Sequence, residues 1–257
     1  MLLAAAWSLA PGPLVLIAFA AVVYVRRWWA VRASPGRLLA FLGGLACAFV
    51  ALVSPVDALG EELFVMHMVQ HVLLLDLAPV LGILGLTRVL LRPVTRRLVG
   101  LEERAGIVGH PVFAIVLYVA VMWAWHVPAL YDATLASPVL HVLEHVTFTL
   151  AGGLYWWHLL SPIRSRRRLG GLGPVVYMAT TKVLVGLLGV ALAFAPAALY
   201  AYEGGWGLSP QTDQNLGGVL MATEQSLVMG VAIVFLFIRA LAESDREEER
   251  RERYGTA

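Results

Sequence analysis

Seven stretches of about 20 mostly apolar residues, joined by short polar connections, restrict this chain to very few folds. A helix of that length crosses the hydrocarbon core of a bilayer. Backbone polar groups that enter lipid must also be satisfied within their own segment, which helices achieve. The stretches fall at 13–29, 37–54, 61–86, 110–126, 138–160, 174–197 and 214–241. A hydrophobic content of 60%, only 14% charged residues and a mean hydropathy of +0.77 exclude an ordinary soluble domain, and nothing suggests a nucleic-acid partner. The expected fold is all-α: a polytopic seven-transmembrane-helix bundle over residues 1–242, followed by a charged cytoplasmic tail, 243–257, that extends the last helix into solvent. The segment MLLAAAWSLAPGP has no basic residues ahead of its apolar run, so the first helix is expected to be retained. Cys47 is the single cysteine, which rules out an intrachain disulfide and a CxxC metal site.

The net charge of +2 hides a strong segregation. Every basic residue except Lys182 is an arginine, and the arginines occupy alternate connections: Arg26 to Arg37, Arg88 to Arg104, Arg164 to Arg168, and Arg239 to Arg253. The connections around Asp57, Asp132 and Asp213 carry none. The positive-inside rule makes the arginine side cytoplasmic, with the N-terminus outside and the C-terminus inside a bacterial plasma membrane. Trp28, Trp29, Trp156 and Trp157 then fall at the inner boundary and Trp123, Trp125 and Trp206 near the outer one, where they read as interface anchors.

On that topology five of the seven histidines reach the outer side: His67, His71, His126, His141 and His145. Four of them form H-x-x-x-H pairs in matching contexts, HMVQHV and HVLEHV. A spacing of four stacks two imidazoles on one helical face, so two such helices would offer up to four nitrogens to one metal ion. The five are read as a metal site, because ionisable groups in a bilayer are costly and usually functional. In the last span Gln214, Gly217, Gly218, Met221, Glu224 and Gln225 form an inward polar stripe; a thioether such as Met221 beside imidazoles favours copper over hard cations. Gln70, Tyr131, Asp132, Asp213, Gln214 and Glu144 are candidate accessory residues. Asp76, Lys182 and Glu224 lie near mid-membrane, and Lys182 is expected to pair with one of the two acids. Pro79 should bend the third span below its histidine pair.

The succession of HMVQH, WHVPALYD, HVLEH with its following aromatic run, and DQNLGG with Met221 resembles the CtaG family of bacterial cytochrome c oxidase assembly factors, associated with caa3-type oxidases. The resemblance extends from the second span to the seventh. It implies a membrane protein that helps assemble a copper-containing oxidase by handling copper outside the membrane, with oxidase subunits and an extracytoplasmic copper donor as partners besides lipid. The positions carrying it are His67, His71, His126, Tyr131, His141, Glu144, His145, Asp213 and Gln214.

Two other function classes remain open on the residues alone. A seven-helix zinc hydrolase acting on lipid would use the histidines as ligands and Glu144 or Asp132 as general base. A haem-binding electron carrier would use imidazoles as axial ligands, although a pair four apart on one helix suits a bare ion better. A retinal protein ranks low, since Lys182 lies outside the last helix.

Overall fold

The computed structural model describes residues 7–163 and 169–255; Arg164, Arg166, Arg167 and Arg168 lie outside the described residues. Proline opens α1 (Pro11–Val31), α2 (Pro35–Val53), α3 (Pro55–Glu62), α8 (Pro111–Trp125), α9 (Pro128–Ala136), α10 (Pro138–Leu160) and α12 (Pro210–Tyr254). There its fixed φ suits the first turn and its missing N–H is no loss. The others are α4 (Phe64–Val72), α5 (Ala78–Gly85), the short α6 (Arg88–Leu91), α7 (Thr95–Arg104) and α11 (Gly173–Ala193). Ser54, Ser137 and Ser209 cap α3, α10 and α12 by accepting from backbone N–H groups of the first turn.

Among the described residues, five helical segments are long and apolar enough to cross a membrane: α1, α2, Phe64–Gly85, α11 and Pro210–Ile238. The pair α8 and α9, bent by 72° at His126 and Val127, makes a sixth if it is one broken span. The seventh expected stretch is the 23-residue α10, which falls short on apolarity and not on length. His141, Glu144, His145 and His158 dilute it. Helix α10 packs against α8, α9 and the α4–α5 segment. Its buried stripe, Glu144, His145, Phe148, Ala151, Gly152, Tyr155, Trp156 and Leu159, follows the helical period, while Val139, Val142, Val146 and Leu150 stay exposed opposite it.

Pro79 brings a π-turn, Leu73–Leu77, instead of a break, and the helix runs on to Gly85. Proline has no N–H for the carbonyl of Leu75 four residues back, and the wider turn makes room for its ring. Helix α10 crosses against that carbonyl at Gly152, where any Cβ would overlap Leu75 O. Gly218 and Gly189 permit a similar approach of α12 and α11; a Cβ on Gly189 would lie 2.8 Å from Ala222 N.

Arginines of the first two basic connections bond to backbone at one end of the bundle. Arg27 donates to the carbonyls of Val89 and Leu90, Arg37 to that of Leu84, and Arg88 to that of Pro162. The last helix continues without interruption from the bundle into the charged tail.

Two expectations need correction. Trp156 is buried and donates to Asp76, and Trp125 is buried and donates to Thr147, so neither is an interface anchor. Lys182 is only half-buried and, among the described residues, forms no ion pair. Asp76 is instead held by Tyr118 and Trp156, and Glu224 by Gln225.

Candidate metal centre

At the end of the bundle opposite the arginines, α4 and α10 present their histidine pairs to each other. The rings of His67 and His71 meet edge to face with centroids 4.5 Å apart, and those of His141 and His145 are tilted with centroids 4.3 Å apart. Across the helices His67 lies 5.1 Å from His141 and 5.9 Å from His145. His67, His141, Glu144 and His145 each bring one potential ligand atom to within 4.8 Å of all the others.

Glu144 is the centre of this group. A spacing of three from His141 and one from His145 puts it on the buried face of α10, where it is 0% exposed. Its Oε2 lies 3.2 Å from His67 Nε2 and its Oε1 3.3 Å from His71 Nε2. A carboxylate so enclosed requires compensating positive charge, from a proton on a flanking imidazole or from a bound cation. The Nε2 atoms of His141 and His145 are buried with no hydrogen-bond partner, as is Nδ1 of His71. Unsatisfied buried nitrogens are costly, and three imidazoles with one carboxylate form a donor set that suits copper or zinc.

The surrounding residues fix the ligand rings. Tyr202 donates to the Gly60 carbonyl at 2.9 Å, and its oxygen also lies 3.2 Å from His67 Nδ1 and 3.0 Å from Tyr131 Oη. With the tyrosine's one proton committed to a carbonyl, Nδ1–H of His67 donates into Tyr202, which leaves Nε2 facing the cluster with a lone pair. Burial pushes the phenols of Tyr200 and Tyr202 above their ordinary value, so both stay neutral donors. Tyr200 donates to the carbonyl of His126 at 3.0 Å. Both tyrosines come from the 194–209 connection, which sequence reasoning did not implicate. Their alternation in LYAY, in the connection between α11 and α12, was the available signal.

Asp132 and Gln214 anchor that connection. Asp132 accepts from Ala201 N at 2.9 Å, and Gln214 accepts from Leu199 N at 2.6 Å. Asp213 accepts from Phe64 N and Val65 N at 2.7 and 3.0 Å, capping α4 from across the bundle and setting the rotation of its histidines. Gln70 points the other way, donating to Ala51 O and Asp57 Oδ1; it fastens α4 to α2 and α3 and is no accessory to the cluster. His126 caps α8 and lies 5.7 Å from His71 by ring centroids, outside the group of four. Met221 is also outside it, lining a small cavity with His71, Asp76 and Glu224. A larger cavity of about 580 Å³ reaches His141 and His145 from beside α1, with Asp57 and Glu61 in its wall.

Fold and site together define a polytopic helical membrane protein with a buried imidazole–carboxylate cluster at one end of its bundle. Residues 19–243 match the family model of the cytochrome c oxidase caa3 assembly factor, Caa3_CtaG, and the chain belongs to that family. Among curated proteins, the uncharacterised protein ML1998 of Mycobacterium leprae is 25% identical over 244 residues, 85% of this chain and 36% of its own length. The uncharacterised protein Mb0105 of Mycobacterium bovis is 28% identical over 240 residues, with the same two coverages. The chain thus spans 36% of the length of each of these relatives. No solved structure gives a significant match.

Proposed function

We propose that this protein assists maturation of a copper-containing cytochrome c oxidase by taking up a copper ion at the extracytoplasmic end of its bundle and presenting it to an oxidase subunit. The observation that carries this reading is the meeting of His67, His141, Glu144 and His145, with partnerless buried nitrogens on two of them, in a chain of an oxidase assembly family. Copper is here the cargo. The cavity lined by Asp57 and Glu61 gives it a negatively charged approach to His141 and His145.

The orientation follows the arginines. With the arginine-bearing connections in the cytoplasm, the cluster faces the outside of a bacterial plasma membrane, where an extracytoplasmic copper donor could reach it. An apolar exposed face on α10, together with its central packing, supports its counting as the seventh span. In this reading the protein is not an enzyme.

Elemental analysis of the detergent-purified protein, with and without added Cu(I), tests the proposal beside a His67→Ala/His141→Ala double variant. Stoichiometric copper in the wild type that is lost in the double variant is the expected result. Zinc retained in place of copper would favour a hydrolase, while equal copper in both proteins would remove the cluster from the account. Because the imidazoles must be neutral to bind, copper affinity should fall as the pH is lowered, with protons released on uptake.

A further inference from the structure

Next to the cluster lies a second pair of donors that the cluster does not use. His126 Nδ1 is 2.6 Å from the carbonyl oxygen of Met122, which can only accept, so the ring proton sits on Nδ1. In the neutral ring Nε2 then carries a lone pair, and it faces Met68 Sδ at 3.4 Å. A thioether has no proton to give. Two bare acceptors therefore point at each other in a dry place, His126 being 4% exposed and Met68 fully buried. Such an arrangement is unfavourable unless something positive shares the lone pairs.

We propose that Met68 Sδ and His126 Nε2 form a separate binding position for a soft monovalent metal ion, with His71 between it and the His67/His141/Glu144/His145 cluster. The sulfur selects the ion. Thioethers favour Cu(I), whereas carboxylate and imidazole also accept Zn(II) and other divalent ions. His71 is well placed as the link, its ring 5.7 Å from His126 and 6.0 Å from His145, with Nε2 against Glu144 and Nδ1 without a hydrogen bond. Met122 and Met221 line the small cavity beside His71, which keeps the surroundings of this position sulfur-rich and apolar. Helix α12 supports the geometry, because Gly217 has no side chain to displace Met68. An ion handed from the cluster to this pair would pass from a site tolerant of several metals to one that holds only the soft ion. The proposal deepens the copper-handling reading and rests on it for the identity of the metal.

The test uses the full chain purified in detergent, with Cu(I) and Ag(I) as probes and X-ray absorption to detect metal–sulfur scattering. Wild-type protein should bind about two monovalent ions and show sulfur in the coordination shell. Met68→Leu, which nearly conserves volume, should bind about one and lose the sulfur signal, and His126→Gln should do the same. Zn(II) binding should be unchanged in both variants. The His67→Ala/His141→Ala protein should keep about one Ag(I) with its sulfur scattering. No sulfur scattering in the wild type would overturn the proposal without recourse to any variant. So would an unaltered spectrum in Met68→Leu, or loss of all metal from the double variant. If the double variant leaves stoichiometry untouched while Met68→Leu lowers it, the second position stands and the cluster reading falls.

Discussion

Among the carboxylates buried in this bundle, Asp76 and Glu144 have surroundings that differ in kind. Asp76, on the π-turn, accepts from the Tyr118 hydroxyl at 2.8 Å on both oxygens and from Trp156 Nε1 at 2.7 Å. Its partners are neutral, each has a proton to give, and the aromatic rings close around it. Glu144 has only imidazoles beside it. It faces imidazole nitrogens of His67 and His71 at 3.2 and 3.3 Å, and the hydrogen bonds around His67 leave the facing nitrogen without a proton in the neutral ring. One carboxylate is held by donors that have no other role; the other is held by imidazoles whose protons a metal ion can replace. That difference separates a polar residue that holds helices together from one that does chemistry.

The contrast is broken most severely at Glu144. Glu144→Gln keeps shape and volume but removes the negative charge from the centre of the cluster. Copper affinity in a chelator competition should fall by more than about 100-fold, beyond the 10–100-fold loss usual for a group that only orients a ligand. Retention of copper by Glu144→Gln would mean that the three histidines suffice and that the carboxylate serves some other purpose.

Tyr202→Phe sharpens the same point at one remove. It removes the oxygen that receives His67 Nδ1–H, so the ring is free to rotate or change tautomer. A loss of about 10–100-fold in copper affinity is expected, with stoichiometry preserved at high metal concentration. A loss of stoichiometry would assign Tyr202 a direct bond to the metal.

How much of this was legible in the sequence follows from which signals are periodic. The i,i+4 histidine pairs and the alternating arginines made the spans and the convergence of His67, His71, His126, His141 and His145 readable. Glu144 was readable too, since a helix face that holds His141 and His145 includes the residue three after the first. Tyr200 and Tyr202 were not, because a connecting segment has no period and its side chains are aimed by distant anchors such as Asp132 and Gln214. The facing of Met68 and His126 depends on how α4 lies against the bend between α8 and α9, which no local pattern encodes. Pairing Lys182 with an acid went astray because Trp156, placed at the membrane surface by its residue type, instead reaches Asp76 inside the bundle.

Asp76→Asn should have the smallest effect, and that smallness is informative. An amide oxygen at the Oδ1 position still accepts from Trp156 and Tyr118, while the new NH2 can donate to the Tyr118 oxygen, which has lone pairs to receive it. The change should cost no more than about 1 kcal/mol, read as a shift of a few degrees or less in the thermal unfolding midpoint in detergent, with copper binding unchanged. Asp76→Leu, by contrast, strands both donors and should cost about 1–3 kcal/mol for each. If Asp76→Asn abolished copper retention while the bundle stayed folded, its charge would have to be part of the metal path, through the cavity that Asp76 shares with His71, Met221 and Glu224. The two carboxylates would then be successive stations of one route, and the division between a structural and a functional acid would fail.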